Sequence, residues 1–201
     1  LTNFGAAMFS VQIKEKNGEL EDIALTCDSL SGFIQNRNFY GATVGRVVNR
    51  IKQGRAEISG ISYQLECNEG KNSAHGGSAG FAWRFWDTEV QEDCVVFRLL
   101  SKDGESGYPG NLQVEYRLEE DGTILITHRA TSDSDTILNM TNHTYWCLGG
   151  LGEKIYDQKL LINGRFYLEV DEELLPTGQI LSVEDTPFDF MNPHTIGERI
   201  F

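Results

Sequence analysis

Two histidines carry side chains that could move or hold a proton in a small-molecule site. His143 is followed by Tyr145 and Trp146, whose rings could form an apolar wall for a ligand. Its neighbours Asn142 and Thr144 could fix the tautomer of the imidazole. Because histidine titrates near neutral pH, it is the usual general acid or base of enzymes. His143 is therefore the first catalytic candidate, and the alternative is a buried structural histidine.

The second histidine, His75, precedes Gly76 and Gly77 in a polar loop. Binding residues concentrate on loops that a rigid β scaffold supports, so we expect this side chain to be accessible. His75 is a second candidate for catalysis or ligand binding. The alternative is a histidine that only caps a turn.

Two arginines and an asparagine lie among small residues between Tyr40 and Ile51. The guanidinium groups of Arg46 and Arg50 present forks of donors that suit hydroxyl and ring oxygens, and Asn49 adds an amide. For each arginine the alternative is a structural role, in which the guanidinium satisfies loop carbonyl groups.

Other chemistries find no support in the spacing of these residues. The sequence has no His-x-His, His-x-x-x-His or Cys-x-x-Cys pair, and no P-loop, dinucleotide fingerprint or Gly-x-Ser-x-Gly elbow. We therefore expect no metal and no cofactor. His128, inside an alternating segment, and His194, after a proline, are expected to be structural or incidental.

Short strands separated by turns must position the candidate residues. Apolar and polar residues alternate from Leu112 to Leu118, Asp121-Gly122 suits a tight turn, and residues 123–130 form a second strand, which together predict a hairpin. Further strands are predicted at 8–13, with a turn at 16–18, at 94–100 and 159–162, and as a pair around Ser59-Gly60 within 56–65. No long helical periodicity and no linker is found. We predict an all-β protein, an antiparallel β-sandwich or barrel, with residues 1–201 in a single domain.

Composition restricts the partners. Seventeen basic and thirty acidic residues give a formal net charge of -13, which repels nucleic acid and anionic membranes. No apolar stretch approaches the roughly 20 residues that cross a bilayer. Four cysteines without a Cys-x-x-Cys pair fit unpaired thiols in a reducing compartment, so we expect a cytoplasmic protein.

Six segments, in this order, resemble the galactose mutarotase (aldose 1-epimerase) family. They are residues 41–51, 72–77, 107–110, 142–146, 175–178 and 186–190. The resemblance implies a large antiparallel β-sandwich with an open cleft, and an isomerase that interconverts the α and β anomers of free hexoses such as glucose and galactose without a cofactor. It also implies that Asn49 and Arg50 contact the sugar, that His75 helps to hold it, and that His143 is the general acid.

The sequence departs from the family pattern at several points. Ala74 stands where the family often has leucine, and Cys147 where it often has asparagine. The family's catalytic base, a glutamate, and a sugar-binding aspartate lie beyond the segments matched here. We therefore expect a sandwich incomplete at both ends, lacking its C-terminal third, and a 201-residue chain that is inactive alone.

Two other functions compete with the mutarotase interpretation. One is a non-catalytic carbohydrate-binding or accessory module on the same fold, and the other is a relative that epimerises a hexose phosphate. Arg50, His75 and His143 together favour the enzyme, and no added basic cluster indicates a phosphate site. The sequence predicts a hexose ligand but no particular oligomeric state.

Overall fold

The computed structural model describes residues 1–35, 38–120 and 123–200. Their regular structure is almost entirely strand, which confirms the predicted all-β class, and every named strand pair is antiparallel. No helix in the described part of the chain has the length and apolar character needed to span a membrane.

The strands are numbered in chain order. They are β1 (Gln12–Lys14), β2 (Leu20–Asp22), β3 (Thr43–Val44), β4 (Arg50–Ile51), β5 (Arg55–Ile58), β6 (Ile61–Gln64), β7 (Ser73–Ala74), β8 (Asp87–Val90), β9 (Cys94–Ser101), β10 (Leu112–Glu120), β11 (Ile124–Ser132), β12 (Thr141–Asn142), β13 (Lys159–Leu160), β14 (Phe166–Val170), β15 (Pro176–Ser182) and β16 (His194–Thr195). One α-helix, α1, spans Leu30–Gln35. Single turns of 3₁₀ helix occur at Lys52–Gly54, Phe81–Trp83, Glu105–Gly107, Ile155–Asp157 and Ile196–Glu198.

The chain forms two compact units, and the single-domain expectation stays a prediction. Unit 1 comprises Leu1–Ser10 and Thr26–Tyr145, and unit 2 comprises Val11–Leu25 and Trp146–Phe201. Unit 1 contains β3–β12 and α1. Unit 2 contains the pairs β1–β2, β13–β16 and β14–β15.

A four-stranded sheet in the order β11–β10–β9–β8 is the scaffold of unit 1. β10 and β11 form the predicted hairpin, with Leu112 opposite Ser132. The predicted turn residues, Asp121 and Gly122, lie outside the described residues. Alternate side chains of β9 and β10 enter one core, as the period-two pattern requires. The core residues are Phe97, Leu99, Leu112, Val114 and Tyr116, with Ala6, Phe81 and Trp86.

Burial of this core is what makes the sheet rigid enough to support loops. Each large apolar side chain removed from water contributes about 1.5–3 kcal/mol. The sheet residues in this core are at most 8% exposed, and Tyr116 is fully buried. The loops of unit 1 that carry the candidate residues are therefore attached to a stable support.

The remaining predicted strands have mixed outcomes. The pair β5–β6 around Ser59-Gly60, the strand β9 and the turn at 16–18 are confirmed. The strand predicted at 8–13 is misplaced, because Met8 bonds to Gly41 in unit 1 while β1 begins at Gln12 in unit 2. The strand predicted at 159–162 is only Lys159–Leu160.

The helix α1 is absent from the sequence predictions. The Ser29 side chain accepts a hydrogen bond from the Gly32 N–H (3.1 Å), as an N-cap does. Phe33 is the one buried residue of this six-residue helix. Six residues make fewer than two helical turns, which is too short a window for apolar periodicity to identify a helix.

Candidate functional site

The main chain of His143 is fixed by the glycine-rich segment that precedes β3. The His143 N–H donates to the Ala42 carbonyl (2.8 Å), and the Gly41 N–H donates to the His143 carbonyl (3.1 Å). These bonds extend the pairing of β12 with β3. Gly41 has a φ of 61°, and a Cβ there would lie 2.0 Å from the Met8 carbonyl oxygen, so the close approach requires glycine.

The polar neighbours of His143 bond to backbone and to each other. The Asn142 amide donates to the Gly41 carbonyl (2.8 Å), and its oxygen accepts from the N–H (3.2 Å) and the hydroxyl (2.6 Å) of Thr144. These hydrogen bonds set the path of the chain at residues 142–144. These hydrogen bonds do not involve the His143 ring. They therefore give no support to the expectation that Asn142 and Thr144 fix its tautomer.

His75 is held by a reciprocal pair of hydrogen bonds with Asn49. The pairing of β7 with β4 places Ala74 opposite Arg50, so that His75 meets Asn49. The His75 N–H donates to the Asn49 carbonyl (3.0 Å), and the Asn49 N–H donates to Nδ1 of the His75 ring (3.2 Å). Because Nδ1 accepts a hydrogen bond, the neutral ring carries its proton on Nε2. Nε2 is therefore a donor.

The backbone at this contact is unusual in both residues. Asn49 has a φ of 66° and His75 a φ of 51°, in the left-handed region that residues other than glycine seldom adopt. The neighbouring Gly76 is required by space, since a Cβ there would lie 1.8 Å from the Gly45 carbonyl oxygen. Left-handed residues cluster at functional sites, where the surrounding structure holds them in place.

The surroundings of His75 favour its neutral form. Burial lowers the pKa of His75 below its ordinary value, and the nearby His143 and Arg50 lower it further. Glu69 acts in the opposite direction, as a smaller effect. At neutral pH His75 is therefore a neutral hydrogen-bond donor through Nε2.

The two histidine rings lie edge to face within an aromatic cluster. Their centroids are 5.7 Å apart with the ring planes at 81°, and both residues are half-buried. The Phe39 ring contacts both, at 4.8 Å from His75 and 5.8 Å from His143. Trp83 lies 4.9 Å from Phe39, and Tyr145 lies 5.0 Å from His143. The cluster gives the histidines an apolar surrounding with polar edges.

The sequence predictions identified only part of this cluster. The Tyr145 ring lies beside His143, and its predicted role as a wall for a ligand stays a prediction. Phe39 and Trp83 were missed; the signal for Phe39 was its place directly before the segment 40–51 that carries the arginines. Trp146, also expected as a wall, belongs to unit 2, where its backbone pairs with Ala24.

The two arginines have different surroundings. Arg46 is 2% exposed and donates six hydrogen bonds, all to oxygen atoms of neutral groups. Arg50 pairs with Glu69 through Nε–Oε2 (2.5 Å) and Nη2–Oε1 (3.0 Å), and its Nη1 donates to the Asn49 side-chain oxygen (3.2 Å). The structural interpretation therefore holds for Arg46. Arg50 lies near His75, and its role in binding stays a prediction.

The remaining histidines lie elsewhere. His128 is in β11, with its ring 5.3 Å from the Tyr116 ring, and burial lowers its pKa. His194 is in unit 2, 3.5 Å from Glu198. Among the described residues, no group of three or more histidines, cysteines or acids could hold a metal ion. The four cysteines, Cys27, Cys67, Cys94 and Cys147, form no disulfide.

Comparison with known proteins identifies relatives over the whole chain. The family model described as aldose 1-epimerase matches residues 1–201. Galactose mutarotase of Bos taurus is 39% identical over 202 residues, and aldose 1-epimerase of Escherichia coli (strain K12) is also 39% identical over 202 residues. These matches cover 100% and 99% of this chain but only 59% and 58% of the relatives, so the chain spans about three fifths of their length.

Solved structures show the same fold. An aldose epimerase homologue from C. elegans superposes with a TM-score of 0.92 at 31% identity, over 98% of this chain and 61% of that one. Galactose 1-epimerase from Lactobacillus acidophilus NCFM gives a TM-score of 0.84 at 34% identity, over 98% and 58%. These likenesses confirm the all-β sandwich predicted from the sequence.

Proposed function

The chain belongs to the aldose 1-epimerase family, and from that premise we propose that the whole protein interconverts the α and β anomers of free hexoses. Glucose and galactose are the proposed substrates. The observation that carries the proposal is the pair of half-buried histidine rings 5.7 Å apart, with Arg50 beside them. The family's activity requires an acid and a group that holds the sugar, and these residues can supply both.

In the proposed reaction, His143 is the general acid. Imidazolium at His143 gives a proton to the ring oxygen of the hexose while a base removes the proton of the C1 hydroxyl. The bond between C1 and the ring oxygen breaks, and C1 becomes the aldehyde carbon. Rotation about C1–C2 presents the other face of the carbonyl. The former ring oxygen attacks it as its proton returns to His143, and the base returns its proton to the carbonyl oxygen, which becomes the C1 hydroxyl of the other anomer. A positioned acid of this kind contributes about 10²–10⁴-fold to the rate.

His75, Arg50 and Asn49 are proposed to bind the sugar rather than to exchange protons with it. The neutral His75 ring donates through Nε2 because Nδ1 is occupied by the Asn49 N–H. Arg50 adds N–H donors of fixed geometry, and its positive charge stabilises the negative charge that develops on oxygen. The aromatic rings of Phe39, Trp83 and Tyr145 line the apolar side of the cluster.

The base is proposed to come from a part of the family pattern that these 201 residues do not match. No acid in this chain is assigned that role, so a polypeptide of these 201 residues alone is expected to have little or no turnover. Measurable mutarotation by a verified 201-residue polypeptide would contradict this part of the proposal.

A cytoplasmic location completes the proposal. Its support is that Cys27, Cys67, Cys94 and Cys147 form no disulfide, as is usual in a reducing compartment. Fractionation of the source cells, with the whole protein detected by an antibody, would test it. Recovery from an oxidising compartment would contradict it.

Polarimetry of freshly dissolved α-galactose and α-glucose tests the proposed activity. The whole protein should bring the optical rotation to its equilibrium value faster than buffer does, in proportion to protein concentration. No acceleration with either sugar, in a folded sample, would refute the enzymatic function. Binding of galactose without acceleration would favour the non-catalytic module instead.

A further inference from the structure

Glu69 contacts two of the five N–H donors of Arg50. Nε donates to Oε2 (2.5 Å) and Nη2 to Oε1 (3.0 Å), so that the carboxylate lies along one side of the guanidinium. Nη1 donates a third hydrogen bond to the Asn49 side chain (3.2 Å). Since a guanidinium has five N–H donors, two remain, one on each terminal nitrogen. These two are the donors with which Arg50 can bind a ligand.

The loop that presents Glu69 is tied to the strand that carries Arg50. The Glu69 and Asn72 backbones exchange two hydrogen bonds (3.1 and 3.0 Å), which close a tight turn. The Asn72 side chain accepts from the Gln53 N–H (2.9 Å), just after β4. The Asn68 side chain bonds to both the N–H (2.8 Å) and the carbonyl (3.0 Å) of Ala74, in β7. The backbone of the loop that carries Glu69 is therefore tied to β7 and to the residues that follow β4.

The exposure of the Glu69 carboxylate limits what this ion pair contributes to folding stability. The Glu69 side chain is 49% exposed and that of Arg50 is 19% exposed. Ion pairs in contact with water contribute little to folding stability. A two-pronged contact nevertheless fixes the plane and the rotation of the guanidinium. Its consequence is geometric, because it determines which N–H groups of Arg50 remain for a ligand.

We propose that Glu69 is a positioning residue for sugar binding, which holds Arg50 side-on so that its remaining N–H groups meet the hexose beside His75. This inference rests on the proposed mutarotase function and adds a residue to it. Glu69 acts through Arg50 and does not contact the reacting atoms.

Glu69→Gln in the whole protein tests the proposal. One oxygen can still accept a hydrogen bond, but the charge and the second prong are lost. We expect KM for galactose in the polarimetric assay to rise about tenfold, since small misplacements of a binding group are costly, while kcat changes less than about twofold. The melting temperature should not change. Glu69→Asp, which keeps the charge but is shorter, should give an intermediate KM.

Glu89→Gln is the matched control. Glu89 pairs with Arg98 (2.7 Å) on the four-stranded sheet, and these side chains are 50% and 47% exposed. This substitution removes a similar surface ion pair away from the histidines, so KM should keep its wild-type value. A KM that Glu69→Gln leaves unchanged, or that Glu89→Gln raises equally, would overturn the proposal.

An Arg50→Gln background shows whether Glu69 acts through Arg50. In that background Glu69→Gln should change kcat/KM by less than about twofold, because the residue on which it acts is gone. A full tenfold effect there would mean that Glu69 acts on the sugar by another route, and would refute the positioning role.

NMR of the arginine side chain separates this inference from the proposed function. The Arg50 Nε–H should exchange slowly with water in the wild type and faster in Glu69→Gln. If this difference appears but the whole protein does not accelerate mutarotation, the function fails while the orientation by Glu69 stands. If mutarotation is present and Glu69→Gln changes neither exchange nor KM, the inference alone fails.

Discussion

Arg46 and Arg50 are four positions apart in one segment, but their surroundings differ completely. Arg46 is 2% exposed, and its six hydrogen bonds go to Ser101, Lys102, Pro109, Gly110 and Thr136. Arg50 has an acidic partner, Glu69, and two donors that no described group occupies. A guanidinium with every donor used can only support structure, whereas one with donors left over can bind.

The difference between the two arginines also explains how the segment 46–50 can both support the fold and present a side chain with donors left over. Arg46 joins the chain around residues 101–110 to the segment 46–50, and its own carbonyl accepts from the Asn139 N–H (2.9 Å), close to β12. Burial lowers its pKa, while the nearby Glu105, the Tyr108 hydroxyl, Asp103 and Asp133 act in the opposite direction. Arg46 fixes the framework on which Arg50 and His143 are placed.

The largest expected effect comes from removing the buried guanidinium. Arg46→Met keeps most of the stem but leaves six hydrogen-bond acceptors without their donor. We expect the free energy of unfolding, measured by urea denaturation of the whole protein, to fall by about 3–5 kcal/mol. A loss below about 1 kcal/mol would show that water satisfies these groups, and the contrast between the two arginines would fail.

Arg50→Gln should show the opposite pattern. The free energy of unfolding is expected to fall by less than about 1 kcal/mol, because the ion pair is partly exposed. In polarimetry, kcat/KM for galactose should fall by about 10²-fold, since the sugar loses an oriented partner. A variant that is destabilised as much as Arg46→Met, with unchanged kcat/KM, would give Arg50 a structural role too.

The smallest expected effect is on the pH dependence of stability and concerns His75, which Arg50 helps to keep neutral. The pKa of His75 in the folded protein is lower than its ordinary value of 6.5, so between these two values the unfolded chain binds more protons. The stability contribution of neutral His75 is therefore complete above pH 6.5 and is lost as pH falls through the folded pKa. His75→Gln should reduce the fall in melting temperature between pH 7 and pH 5.

His128 supplies the control for that measurement. Burial lowers its pKa as well, so His128→Gln should remove a separate share of the same pH dependence. If His75→Gln left the pH dependence unchanged while His128→Gln reduced it, the neutral form of His75 would not be what the folded protein favours.

The sequence predicts the elements that have local patterns and misses those that depend on distant contacts. The hairpin β10–β11 and the pair β5–β6 follow from alternation and turn residues, which act over a few positions. The candidate residues His143, His75, Asn49 and Arg50 were identified by type, and the first two lie in one aromatic cluster. Their roles remain predictions.

Three features of the site depend on contacts between residues that are far apart in the sequence. Phe39 contacts both histidine rings, but it precedes His143 by about a hundred positions in the sequence. The difference between Arg46 and Arg50 depends on residues 101–110. The chain folds back there, and carbonyl groups of this stretch accept hydrogen bonds from Arg46. The Nε2 tautomer of His75 follows from an Asn49 backbone group. Each requires the tertiary structure, because the partners are set by packing rather than by spacing.

The most direct test of the central claim compares rate and binding in His143→Ala of the whole protein. Polarimetry gives the mutarotation rate, and calorimetric titration with galactose gives the affinity. If His143 is the general acid, kcat should fall by about 10²–10⁴-fold while the dissociation constant changes little, and His194→Ala in unit 2 should alter neither. A His143→Ala protein that retains the wild-type rate would contradict the account.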